Sequence, residues 1–218
     1  MLHLRLALVF LSCLGVLSCA SSPVEDPGRT AFSYQGGQVS VIKNQSDCFL
    51  LIDGNINQAL KTAFANAKNS AKQLACNEKM VMIKSHGGDI EVAMDLGRQI
   101  RSEKWNTDMH GFCESACALV YIGGVKRFAH LNSQIVENTN LGVHQPASEL
   151  LFHKCIANDS KSGPIVQQIS QYIHQMLSPG AADHLVDWLF ATSCQKITYI
   201  DASALLKTGV ATTQVDFH

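Results

Sequence analysis

Apolar residues along this chain recur with two different spacings, and the spacings take turns. From Val39 to residue 44, and again in CFLLIDG (48–54), short apolar runs end at turn residues, the pattern of buried strands. NQALKTAFANAKNSAKQLA (57–75) then sets alanine and leucine three and four apart, which predicts a helix with Asn57 as its cap. KMVMIKS (79–85) reads as the next strand, and IEVAMDLGRQIRSEK (90–104) as a second amphipathic helix started by Asp89. NTDMHGF (106–112) predicts a strand that runs into CESAC and a third helix, ACALVYIGG. LGVHQ (141–145) adds a strand, two helices are expected over 164–178 and 181–192, and ITYIDASALLKTGVAT (197–212) closes the pattern. Strand then helix, repeated, predicts an α/β fold with a mostly parallel sheet and flanking helices.

The beginning of the chain departs from this rhythm. Arg5 precedes an apolar run from Leu6 to Val16, too short for a spanning helix, which needs about 20 apolar residues. It reads as an export signal. VLSCA (16–20) resembles a bacterial lipobox, which would make Cys19 the lipidated first residue, although Val16 and Leu17 fit that box imperfectly. The expected division is a lipoprotein-type signal peptide over 1–18, a flexible tether over 19–37 that includes SSPVEDPGRT, and one domain over 38–218. That places the domain in the periplasm on a lipid anchor, with soluble secretion as the alternative.

Export changes how the cysteines read. Of 8, Cys13 falls within the signal and Cys19 is the lipid site, which leaves six for an oxidising compartment. Six cysteines allow 15 pairings. Chain order favours Cys48 with Cys76, Cys113 with Cys117, and Cys155 with Cys194. No CxxC pair or HExxH helix supplies metal-ligand spacing, so no metal is expected. Charge adds an exclusion: 17 basic against 18 acidic side chains, scattered along the chain, form no footprint for nucleic acid.

Two strand-to-helix junctions, SHGGDI (85–90) and CESACA (113–118), fall on the carboxyl edge of the expected sheet, where ligands bind in open α/β folds. Gly87 and Gly88 allow a tight turn with a bare amide, and Ser115 precedes a helix with the amide of Ala116 beside it. Each feature alone has an ordinary reading. A glycine pair is a turn, a serine before a helix is a cap, and His144 is a strand histidine with a satisfied hydrogen bond. Their order and spacing together suggest an acyl-transfer site.

Taken together, KMVMIKSHGGDIEVAMDLGRQIRS, GFCESACALVYIGGVKRF and LGVHQP resemble the strand, glycine turn, serine elbow and HQP box of the ClpP peptidases. The elbow is closest to that of exported ClpP-like proteins with a cysteine-flanked CxSAC, and weaker likeness extends from Cys48 to Ala211. The resemblance implies a ClpP/crotonase-like fold, Ser115 as nucleophile, His144 as base, and the Gly88 and Ala116 amides as oxyanion hole. It also implies an extended peptide or unfolded protein segment as partner, held between residues 89–104 and 145–165, and a possible homo-oligomer. No cofactor is implied.

Three positions depart from the family pattern. The triad aspartate aligns near Ile197, no carboxylate occurs from Leu189 to Ile200, and Asp187 is the weak candidate for a third member unless a backbone carbonyl replaces it. His86 stands where the family has proline, and Glu114 where it has a small apolar residue. The chemistry expected is therefore that of a cell-envelope serine hydrolase, an ATP-independent peptidase since no GxxxxGK[ST] loop is present. The alternative is a catalytically inactive scaffold that binds a peptide or an envelope protein. Crotonase-type acyl-CoA chemistry shares the fold but does not suit an exported chain.

Overall fold

A computed structural model describes residues 29–131, 140–148, 154–155 and 163–215. The expected signal peptide, Cys19 and the first part of the expected tether lie outside them.

The first strand is where the domain begins earlier than its hydropathy suggests. β1 (Arg29–Tyr34) is a strand, not tether, and pairs antiparallel with β2 (Gly37–Asn44) through a two-residue turn. Most of its residues are exposed, so it carries little apolar signal. β3 (Asp47–Gly54) returns antiparallel to β2, and α1 (Gln58–Lys72) follows, its Leu60 N–H donating to the Asn57 side chain. β4 (Lys79–Ser85) alternates as expected, with Val81, Ile83 and Ser85 buried. α2 (Ile90–Ser102) starts on Asp89, which accepts from the Val92 N–H. β5 (Asn106–Glu114), α3 (Cys117–Tyr121), β6 (Phe128–His130) and β7 (Leu141–Val143) complete the central part. The short β8 (Ala147–Ser148) and β9 (Lys154–Cys155) pair with each other. α4 (Pro164–Met176) and α5 (Pro179–Ala191) each begin with proline in the first turn, where its missing N–H costs nothing. β10 (Thr198–Ile200), α6 (Ala202–Thr208) and β11 (Thr213–Val215) finish the order.

Seven strands form one sheet in the order β1-β2-β3-β4-β5-β7-β10. β3, β4, β5 and β7 pair in parallel, while β2 and β10 run against them, so five of the seven strands point one way. The parallel centre is buried, as such sheets require. Leu50, Ile52, Val81 and Ile83 are at most 1% exposed, and Trp105, Tyr121, Tyr172 and Phe64 are the largest enclosed side chains. Each such side chain contributes about 1.5–3 kcal/mol of burial.

Two devices fix the layer behind the serine elbow. Gly97 on α2 lies against the backbone of Gly123 and beneath the Tyr172 hydroxyl, which donates to the Leu119 carbonyl at 2.7 Å. A side chain at residue 97 would collide with that hydroxyl. Arg101 donates to the carbonyls of Ile122, Gly123, Gly124 and Met176, and so ties the ends of α3 and α4 to α2. Arg127 plays a similar part at the far end, donating to Val210, Gly124 and Gly209. Three disulfides join Cys48 to Cys76, Cys113 to Cys117, and Cys155 to Cys194.

Candidate functional site

β5 ends at Glu114, and the chain turns into α3 through Ser115 and Ala116. Ser115 has φ +56, a left-handed conformation that costs a non-glycine residue about 1–2 kcal/mol. The surroundings hold it there: its N–H donates to the Gly142 carbonyl on β7 at 2.8 Å, and its carbonyl accepts from Ala118 at 3.0 Å. The Cys113–Cys117 bridge spans the same turn, with both sulfurs' residues fully buried. The residue that caps α3 is Ala116, with no side-chain capping bond. The Ser115 hydroxyl is therefore not spent on the helix, which removes the ordinary explanation for a serine at this place.

The glycine turn after β4 packs directly on this elbow. A Cβ built on Gly87, whose φ is +96, would lie 2.8 Å from Ser115 Cβ and 3.0 Å from the Ala116 nitrogen. Gly88 is bridged to Ile56 in parallel fashion: Ile56 donates to Gly87 and accepts from Asp89. In that pattern the flanking residues make the bonds, and the N–H of Gly88 points to the opposite side. Neither it nor the Ala116 N–H donates to an acceptor among the described residues. One uncommitted amide follows the serine directly, and the other belongs to the residue after the glycine that packs on it; donors of this kind suit a developing oxyanion.

His144 follows β7 and lines one cavity with Ser115 and Ala116. The cavity has about 20 Å³ of open space, walled by Ile90, Leu119, Pro146, Ile169 and Leu189. The His144 Nδ1 lies 2.6 Å from the Gln145 carbonyl. A carbonyl can only accept, so Nδ1 carries the proton and Nε2 is left as the basic nitrogen. Gln145 is itself fixed to the end of α5, its N–H on Thr192 and its side-chain amide on Phe190. No hydrogen bond joins the Ser115 hydroxyl to the imidazole among the described residues. Resting catalytic contacts are often loose and tighten only around a substrate.

Of the two options for a third member, a backbone carbonyl meets this imidazole and Asp187 forms no hydrogen bond with it among the described residues. Asp187 lies on α5 and lines a separate groove between α4 and α5, with Val166, Ser170, His174 and Phe190. The carbonyl of Gln145 occupies the orienting place, and as a main-chain atom it leaves no side-chain mark in the sequence. Of the expected groove segments, Ile90 and Pro146 reach the cavity, while 149–153 and 156–162 lie outside the described residues.

Glu114 and His86, the two departures beside the elbow and the glycine turn, meet in one network. The Glu114 carboxylate accepts from His86 Nδ1 at 2.6 Å and from the Tyr199 hydroxyl at 2.6 Å, and its side chain is 9% exposed. His86 stacks on Phe112 with ring centroids 3.9 Å apart. Burial pushes the Glu114 carboxyl up, but the bonds from Tyr199 and His86 and the charges of His86 and His144 outweigh it and hold it below its ordinary value. The same bond pushes the Tyr199 phenol up.

No family model and no curated protein matches the sequence. Solved structures do. ClpP1 from Listeria monocytogenes is similar at 17% identity and a TM-score of 0.56, over 78% of this chain and 92% of that one. A mutant of the 1510-N membrane-bound stomatin-specific protease is similar at 15% identity and a TM-score of 0.55, over 76% of this chain and 77% of that one. An enoyl-CoA hydratase from Mycobacterium marinum is similar at 12% identity and a TM-score of 0.53, over 81% and 76%. The fold is therefore ClpP/crotonase-like.

Proposed function

We propose that this chain is a serine hydrolase of the cell envelope, a peptidase that works without ATP. The observation that carries the reading is the strained Ser115, its hydroxyl free of any capping bond, on a cavity it shares with His144 and the uncommitted amide of Ala116. Ser115 Oγ attacks the scissile carbonyl carbon while His144 Nε2 takes the hydroxyl proton. The carbonyl oxygen, now negative, receives the N–H groups of Gly88 and Ala116, each worth about 2.7–4 kcal/mol of barrier. The imidazolium then protonates the leaving amine as the C–N bond breaks. Water, deprotonated by the same imidazole, attacks the acyl carbon and releases the acid, and the proton returns to Ser115.

The substrate in this reading is an extended peptide or an unfolded protein segment that adds a strand along the site. Cys19 carries the lipid that keeps the domain at the membrane in the periplasm, and copies of the chain assemble. The ClpP-like and stomatin-protease neighbours support a peptidase scaffold. A fluorophosphonate probe tests the chemistry: native protein is labelled, and Ser115→Ala and His144→Ala are not. Labelling that survives Ser115→Ala excludes the mechanism.

One observation favours a second reading. His144 is oriented by a neutral carbonyl rather than a carboxylate, which suits a scaffold that holds a peptide without cutting it. Peptide binding by native protein that no probe labels would select this reading.

A further inference from the structure

The strand register brings three residues from distant parts of the chain into one row across the sheet. Glu114 on β5 pairs with Gly142 on β7, and Gly142 pairs with Tyr199 on β10. Because the middle residue is glycine, the flanking side chains meet above it. A Cβ on Gly142 would stand 2.8 Å from Glu114 Cγ and 3.2 Å from Tyr199 Cε1. His144 lies two residues beyond Gly142, just past the end of β7. The carboxylate is thus buried beside the strand that leads to the imidazole.

We propose that Glu114 is the charge-balancing carboxylate of this site, a positioning residue that acts through space on His144 in the place left without an aspartate near Ile197. Its catalytic meaning rests on the hydrolase reading; its coupling to His144 does not. When the imidazole takes the Ser115 proton it becomes a cation, and the neutral Gln145 carbonyl cannot balance that charge. Glu114 can, without taking the proton. Both its oxygens are already engaged, Oε2 by His86 and Oε1 by Tyr199, and these donors favour the ionised form. The other groups around the pair are few. His86 follows β4, and Lys84 on β4 lies over the Phe112 ring and is 3.6 Å from Asp53. The cavity walls from α2, α3, α4 and α5 are Ile90, Leu119, Ile169 and Leu189, none of them titratable.

The test compares native protein with Glu114→Gln, Glu114→Asp and Tyr199→Phe. Two readouts are taken across pH: the second-order rate of fluorophosphonate labelling, and the NMR titration of the residue 144 imidazole. Glu114→Gln keeps the size of the side chain and an acceptor for Tyr199. It is expected to slow labelling about tenfold and to move both the acid limb of the rate profile and the imidazole titration down by about one pH unit. Glu114→Asp restores most of both shifts, and Tyr199→Phe gives a smaller shift in the same direction. An unshifted imidazole titration in Glu114→Gln overturns the proposal, whatever the labelling shows. Equal loss of labelling in the Gln and Asp variants, with the acid limb in place, also overturns it by making Glu114 merely structural. A native protein that is not labelled, yet whose imidazole titration shifts in Glu114→Gln, supports the coupling and refutes the hydrolase reading instead.

Discussion

Replacing Gly87 with alanine should damage the site more than it damages the fold, and the size of both effects follows from the geometry. At φ +96 any L side chain is strained, which costs about 1–3 kcal/mol. The new methyl would also meet the Glu114 carbonyl oxygen at 2.7 Å, Ser115 Cβ at 2.8 Å and the Ala116 nitrogen at 3.0 Å. All three belong to a turn already held by a disulfide and by the Gly142 bond, so it cannot fold aside as a flexible side chain would. Overpacking of this kind adds about 1–3 kcal/mol. The sum, about 2–6 kcal/mol, lowers the melting temperature by about 4–24 °C in a domain of this size. Relief comes from parting the glycine turn and the elbow by about 0.5 Å, the direction that separates the Gly88 amide from the serine. Misplacement on the scale of 1 Å costs about a hundredfold in rate. The measurement is fluorophosphonate labelling well below the melting temperature, beside thermal unfolding by circular dichroism. Gly180→Ala is the control, because nothing lies within 4 Å of its added methyl. A Gly87→Ala protein that melts and reacts like the native one would refute the assigned packing.

Removing the Cys155–Cys194 bridge, with residues 39 apart, should cost about 4 kcal/mol of stability by loop-closure entropy, against about 2 kcal/mol for Cys113–Cys117, with residues 4 apart. Labelling should follow the opposite order, lost first in the Cys113→Ser, Cys117→Ser pair; urea unfolding and probe kinetics on both double mutants decide. Glu114 titrates below its ordinary value of 4.5 in the folded protein, so it contributes stability that is fully present above that value and lost as pH falls through the lowered one. Stability measured against pH should therefore be flatter in Glu114→Gln over the acid range. Arg127→Lys should destabilise by about 2–4 kcal/mol in urea unfolding, since one ammonium cannot reproduce the guanidinium fork that serves Val210, Gly124 and Gly209.

Much of the sheet was legible because its central strands are short apolar runs ended by turn residues, with β4 alternating as well. Residues 79–85 were expected as a strand and are β4. β1 was not, because RTAFSY exposes most of its residues and takes its place mainly through main-chain pairing with β2. β6 and β11, three residues each, are too short to show a period. At the site, Ser115, Ala116 and His144 line one cavity and Gly87 packs on the serine, since local turns announce themselves through glycine and through residues that end a strand. The pairing of Glu114 with Tyr199 was illegible for a different reason. Tyr199 is 85 residues away, and only the register of two strand pairs over Gly142 reveals that they meet. The gap in carboxylates from Leu189 to Ile200 left a backbone carbonyl as the alternative to Asp187, but which carbonyl is fixed only by the fold: the His144 proton rests on the main-chain oxygen one residue on, while Asp187 lines another groove.

The sulfur bridge around the elbow has a consequence for the history of each molecule. Cys113 and Cys117 are sealed from solvent once the sheet has closed, so no dissolved oxidant or thiol reaches them in the finished protein. Whether they are joined is settled while the chain is still open. Two molecules of identical sequence, one folded among oxidants and one among thiols, would keep that difference for as long as they stayed folded. The turn that holds Ser115 would be covalently braced in the first and supported by packing alone in the second.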